Sequence, residues 1–193
     1  NGYIRPIIFR SSHSMSPETL NCKTLIAIAC WEWGNLFGNR KGVSLDISAY
    51  PKLNNNIYPT QAKSSGSYQT SVISRIDSFK KHYDDCIMLD LKKNIAESSA
   101  CNIFWIKNKK VFTPKVHSIL NGITRRAIIK ICKNNKIKII EGDFKLSAIL
   151  KSESAFLTGT AAEIQIIRKI KNKKLKVSCD LIDFLKKKFI QIK

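Results

Sequence analysis

One lysine among the many in this chain has unusual surroundings. Lys63 stands in the run Pro59-Thr60-Gln61-Ala62-Lys63-Ser64-Ser65-Gly66-Ser67-Tyr68, where an Asn-rich loop meets a helical pattern. Its small neighbours leave room for a planar ring. An amine so placed can attack a carbonyl carbon and later carry a proton. Tyr68 offers a phenol five residues on, or an aromatic for a helix face. Glu97 follows one apolar strand-like run and precedes another, which would hold a carboxylate in an apolar setting. Gly122-Ile123-Thr124-Arg125 opens a helical pattern. Free N–H groups and the helix dipole make such a start an anion site, although an ordinary cap looks similar. Thr158-Gly159-Thr160-Ala161-Ala162-Glu163 reads as a tight turn, whose hydroxyl and successive N–H groups suit phosphate and carboxylate oxygens. Taken alone, a lysine is most often a solvated surface charge.

Strands and helices that could position these groups follow from the pattern of apolar residues. Tyr3 to Arg10 and Lys23 to Cys30 read as strands. Val43, Leu45 and Ile47 alternate with Ser44, Asp46 and Ser48, a half-buried strand. From Ser65 onward the period is helical, with Tyr68, Val72, Ile76 and Phe79 on one face expected to meet the core. Cys86 to Leu91 is a short apolar strand. Asn102 to Ile106 and Lys110 to Thr113 form a hairpin about Lys107 to Lys109. Ile123 to Cys132 is a second helix, with Ala127, Ile128 and Ile131 on one face. A strand follows at Ile137 to Ile140 and a brief helix at Leu146 to Lys151. Phe156 to Ile170 is a strand pair about Gly159, and Asp180 to Ile190 a closing amphipathic helix. Elements mixed without strict alternation point to an α+β fold.

Length and composition set outer bounds. At 193 residues and 44% hydrophobic content the chain can bury one sizeable core, or one domain and part of a second. Its formal charge of +20 comes from 34 basic and 14 acidic residues. The lysines are scattered among Ile and Asn, the residues AT-rich codons favour, and are not clustered with aromatics as in single-strand binders. We therefore expect no nucleic-acid partner. A positive field would still draw in anionic small molecules. Six cysteines stand at 22, 30, 86, 101, 132 and 179 with no metal-ligand spacing, and the three histidines add none, so no metal is expected. Cys30 and Cys86 lie in apolar runs and read as small buried hydrophobes. Apolar stretches are too short for a membrane span, and reduced thiols suit a cytoplasmic protein.

Together and in this order, the segments around Lys63, Glu97 to Phe104, Leu120 to Arg125 and Thr158 to Glu163 resemble the branched-chain amino acid aminotransferases. These are pyridoxal 5′-phosphate enzymes of the fold type IV class. The resemblance covers nearly the whole chain and weakens after Ile170. It implies the fold type IV large domain with the last strands of the small domain. Residues 1–34 would be the remnant of the small domain, 35–42 the interdomain linker and 43–193 the large domain. The rest of the small domain is expected to be absent, with its phosphate-binding arginine and one wall of the side-chain pocket. No residue of this sequence is expected to replace them. The implied activity is amino transfer between Leu, Ile or Val and 2-oxoglutarate. Lys63 aligns with the Schiff-base lysine, and Tyr68, Glu97, Ile123, Thr124 and Thr160 with cofactor ligands. Tyr3, Arg5, Thr160 and Ala161 align with substrate contacts, Arg5 facing the distal carboxylate of glutamate. Where the family usually has glycine or another small residue the chain has Ser98, Ser99 and Ala100, a difference that bears on any backbone with positive φ. His13 to Pro17 is similar to a loop that reaches toward a neighbouring subunit, and the resemblance implies a homodimer or higher homo-oligomer. The alternatives are a D-amino acid aminotransferase or aminodeoxychorismate lyase of the same fold, or a truncated, inactive remnant.

Overall fold

The computed structural model describes residues 2–11, 15 and 18–192. Of the segment 13–17, only Met15 is among them. Strands β1 (Gly2–Arg10) and β2 (Thr24–Glu32) pair antiparallel over their full length as a separate two-stranded sheet. Both faces of this hairpin stand open. Ile4, Ile8, Ile26 and Ile28 are each 65–69% exposed, and Cys30, expected in a core, is exposed as well. At its base Tyr3 packs on Trp31 and Trp33, with ring centroids 5.2 and 4.8 Å away.

All other strands share one sheet. They are β3 (Val43–Ile47), β4 (Asp85–Leu89), β5 (Ile95–Ser98), β6 (Asn102–Lys107), β7 (Lys110–Pro114), β8 (Ile139–Gly142), β9 (Ser154–Gly159), β10 (Glu163–Ile170) and β11 (Lys173–Lys174). Their order is β5-β4-β3-β10-β9-β6-β7-β8, with β11 beside β10. The pairs β3–β10, β3–β4 and β7–β8 are parallel, and the others antiparallel. A tight turn joins β5 to β6, Ser98 N–H donating to Cys101 C=O at 2.8 Å, so the first strand of the order returns beside its middle and the sheet curls. The β6–β7 turn places Asn108 and Lys109 at φ 49° and 57°, the two left-handed residues of a type I′ hairpin.

Burial on both faces explains where alternation misled. Along β6, Ile103 and Trp105 enter one core with Leu157 and Val43, while Phe104 and Ile106 enter another with Phe156, Ile128 and Ile182. Strand β3 lies between β10 and β4, so Ser44 and Asp46 are as buried as Val43 and Leu45. Its polar positions are satisfied by charge. Asp84 accepts from the Ser44 N–H at 2.7 Å, and Asp46 pairs with Lys81 at 3.1 Å and Lys171 at 2.7 Å.

Four helices flank the sheet: α1 (Gln69–Lys80), α2 (Ile123–Asn134), α3 (Leu146–Leu150) and α4 (Asp180–Ile190). Helix α2 buries Ile128, Ile131 and Cys132, as its spacing indicates. Helix α1 inverts the expectation. After a 3-10 turn at Ser65–Tyr68 it buries Ser71, Ser74 and Ser78, and leaves Val72, Ile76 and Phe79 about half exposed. Small side chains let the helix lie close to the sheet. Their hydroxyls are satisfied locally, Ser78 Oγ donating to Ser74 C=O at 2.9 Å and Ser74 Oγ to Thr70 C=O at 2.6 Å.

Candidate active site

A cavity of about 330 Å³ opens where the β5–β6 turn, the start of α2 and the β9–β10 turn meet. That is within the usual range for small-molecule sites. Its lining includes Lys63, Tyr68, Glu97, Ile123, Thr124 and Thr160, six of the residues singled out from sequence. Ala161 is the next residue beyond the lining, and its C=O accepts from the Leu36 N–H at 2.9 Å. Tyr3 and Arg5 lie on the hairpin, outside the lining.

Lys63 sits just before the 3-10 turn that leads into α1. Its Nζ donates to Tyr68 Oη at 2.7 Å and lies 5.3 Å from that ring's centre. Lys63 is exposed and Tyr68 half-buried, so the amine reaches into the cavity from its open side.

Glu97 is the buried pole, 6% exposed in mid-β5. Sequence reasoning set it between strands, because four residues carrying a glutamate and a serine give no strand signal. Burial pushes its carboxyl above the ordinary value, and the ammonium of Lys52 opposes that rise. Lys52 is the residue that sequence reasoning missed. It is buried near the start of the loop that follows β3, with Nζ 3.0 Å from Glu97 Oε1 and 3.0 Å from Ser71 Oγ. Nothing in its immediate sequence sets it apart from other loop lysines. The second carboxylate oxygen, Oε2, accepts from Asn102 Nδ2 at 2.9 Å.

Asn102 also donates to Leu120 C=O at 2.8 Å, tying the buried carboxylate to the loop before α2. That loop ends at Gly122, where a Cβ would collide with Asn102 Oδ1, so any larger residue must displace that amide. No side chain caps α2. Its first backbone bond to the cap runs from the Arg126 N–H to Gly122 C=O at 3.0 Å, leaving the N–H groups of Ile123 and Thr124 without helical acceptors. Beside them Thr158 Oγ1 is fully buried, lines the cavity and has no partner among the described residues. A bare helix start and an orphaned hydroxyl on the same cavity fit an anionic group. None of Ser98, Ser99 and Ala100 takes a positive φ, so the serines and alanine that replace family glycines or other small residues are unstrained.

Two buried thiols lie outside the cavity lining. Burial pushes Cys101, and likewise Cys86, up to about 12, so both stay protonated. Among the described residues no group of three or more His, Cys, Asp or Glu could hold a metal ion, and no helix is long and apolar enough to cross a membrane.

A branched-chain-amino-acid aminotransferase from Pseudomonas aeruginosa is 34% identical over 178 residues, which is 91% of this chain and 58% of that protein. The crystal structure of the Escherichia coli branched-chain amino acid aminotransferase matches with a TM-score of 0.94 at 29% identity, over 99% of this chain and 65% of that one. That of a branched-chain aminotransferase from the archaeon Thermoproteus uzoniensis with norvaline matches with a TM-score of 0.94 at 27% identity, over 99% and 64%. The chain thus spans roughly three fifths of these relatives. The family model for amino-transferase class IV matches residues 1–170, and with a fold that superposes this closely, the chain belongs to the class IV amino-transferase family.

Proposed function

We propose that this chain carries the cofactor-binding part of a branched-chain amino acid aminotransferase that uses pyridoxal 5′-phosphate and exchanges the amino group of Leu, Ile or Val with 2-oxoglutarate. The observation that carries the reading is the placing of Lys63 with Tyr68 at one wall of a cavity, the buried Glu97 at another, and the bare start of α2 beside them. Pyridoxal 5′-phosphate, when bound, supplies the aldehyde and the electron sink that loosen bonds at an amino acid's α-carbon.

The residues divide the remaining work. Lys63 Nζ is the nucleophile toward the cofactor aldehyde and carries the proton afterwards. Tyr68 Oη, which already accepts from that amine, orients it. Glu97 keeps a negative charge deep in the cavity, where it can hold a proton on a ring nitrogen. Lys52 and Asn102 fix its two oxygens. The N–H groups of Ile123 and Thr124, with the Thr160 hydroxyl, hold the phosphate. The N–H groups of Thr160 and Ala161 take the substrate α-carboxylate, while Tyr3 and Arg5 serve the side-chain end and the distal carboxylate. We divide the chain into 1–34, the last strands of a small domain, 35–42, a linker, and 43–193, the large domain. The separate β1–β2 sheet supports that division. We further propose a soluble, cytoplasmic homodimer or higher homo-oligomer.

A second reading, an inactive remnant, is favoured by the hairpin, whose two faces are exposed and which holds Tyr3 and Arg5 outside the cavity lining. Two measurements separate them. Borohydride reduction of the chain with pyridoxal 5′-phosphate, followed by mass mapping, should place the adduct on Lys63. An adduct on another lysine refutes the assignment. Turnover of leucine with 2-oxoglutarate then distinguishes an active enzyme from one that only binds the cofactor.

A further inference from the structure

We propose that Arg126 is a direct ligand of the anionic group that the cavity holds, which is the cofactor phosphate in the reading above, on which this inference rests. Sequence analysis expected no residue of this chain to supply such a charge. The start of α2 holds the argument. Helix N-termini favour acidic side chains, because the dipole is positive there. The first turn of α2 has no acidic residue and carries two consecutive arginines. Each cation adds to the positive end unless something negative compensates it.

Arg125 is compensated. It is 1% exposed, and its guanidinium reaches Glu141 Oε2 at 2.6 Å, Pro114 C=O at 2.9 Å and Asn121 Oδ1 at 3.0 Å. Arg126 has no carboxylate partner among the described residues. Its Nη1 donates to Asn121 C=O at 2.5 Å, five residues back, so the side chain folds over the helix start and lines the cavity. There it joins the free N–H groups of Ile123 and Thr124, and the buried, partnerless Thr158 Oγ1 on the same cavity. A guanidinium has five N–H donors in a planar fork, and this one leaves most of them uncommitted. A tetrahedral oxyanion such as phosphate matches both the fork and the bare helix start.

The test compares the full chain with Arg126→Gln and Arg126→Lys. Pyridoxal 5′-phosphate and pyridoxal, which lacks the phosphate, are titrated by absorbance. Inorganic phosphate is titrated by thermal shift on the ligand-free protein. Arg126→Gln should weaken pyridoxal 5′-phosphate about tenfold, the scale of one charge-assisted contact, leave pyridoxal unchanged and remove the protection by phosphate. Arg126→Lys, which keeps the charge without the fork, should fall between, and it decides the matter if the glutamine variant does not fold. Equal losses for both aldehydes, or no loss for the phosphorylated one, overturns the proposal. If neither aldehyde forms an adduct on Lys63, the functional reading fails and the phosphate titration still judges Arg126. Protection in the parent chain that disappears in Arg126→Gln sustains the proposal. Protection unchanged by the substitution, or absent from the parent chain, refutes it.

Discussion

Replacing Lys52 with methionine isolates the electrostatics of the buried pole. Methionine keeps the unbranched shape and removes the charge, so Glu97 keeps the Asn102 amide at 2.9 Å and the Leu120 backbone N–H. At 3.0 Å, and with an effective dielectric constant near 20, the pair attracts by roughly 5.5 kcal/mol before desolvation is counted. Breaking one side of a buried pair costs about 3–5 kcal/mol, since the other charge stays behind. Proton uptake limits that penalty. An ordinary glutamate titrates at 4.5, and each pH unit is worth about 1.36 kcal/mol, so protonating Glu97 costs at most about 5 kcal/mol at about pH 8 and about 2 kcal/mol at about pH 6. The sign follows from proton linkage. Burial already holds the folded Glu97 above its unfolded value, so the folded state binds the proton more tightly, and stability is lost as pH rises through the folded pKa. Without Lys52 that loss extends to higher pH. Urea unfolding of Lys52→Met, Glu97→Gln and the double variant, from about pH 4.5 to about pH 8, reads this directly. The penalty of Lys52→Met should be near zero or reversed at the acid end and grow by up to about 1.4 kcal/mol per unit above it. The double variant should recover most of it. A penalty that ignores pH, or additive single effects, would refute the coupling.

Three other substitutions probe the rest of the cavity. Gly122→Ala should destabilise the chain by about 1–3 kcal/mol and weaken pyridoxal 5′-phosphate, because the new methyl displaces Asn102 Oδ1 and with it a buried hydrogen-bonded amide; chemical denaturation and cofactor titration check both. Glu97→Gln should lower leucine turnover roughly tenfold to a hundredfold while cofactor affinity changes much less, and equal modest losses of affinity without loss of rate would contradict the role of the carboxylate. Asp85 is fully buried, and burial raises its carboxyl above the ordinary value against opposing contacts from Ser99, the Cys86 N–H and Arg75. Its folded form therefore loses stability as pH rises, and Asp85→Asn should add on the order of 1 kcal/mol at about pH 8 and flatten that part of the stability profile.

Elements with a clear period and a partner nearby in sequence were legible: the hairpins, α2, α4 and the strand pair about Gly159. The errors arise where tertiary burial departs from the local pattern. Strand β3 alternates in sequence, yet lies mid-sheet and buries both sets of side chains. Helix α1 has an apolar stripe, yet the sheet accepts its serines because only small residues permit that close approach. Six of the residues that line the cavity stood out in the sequence, since Lys63, Glu97, Gly122 and the Thr158–Glu163 turn each lie in distinctive local sequence, whereas Tyr3, Arg5 and Ala161 lie outside the lining. Lys52 and Arg126 were not, because a cation's role depends on which carboxylate the fold brings to it. Lys52 meets Glu97, forty-five positions away in sequence, whereas Arg126 meets none among the described residues.

Asn102 acts as a ruler. Its single amide nitrogen spans from Glu97 to the carbonyl of Leu120, and its oxygen stands against the bare Cα of Gly122. The distance between the buried carboxylate and the helix start is therefore held by this rigid planar group, together with the Leu120 N–H that also reaches the carboxylate, not by the summed tolerances of two loops. A displacement at one end is transmitted to the other through two hydrogen bonds. The two ends of the cavity should relax on one timescale, and a ligand whose own poles are spaced differently must either strain this amide or leave one end empty.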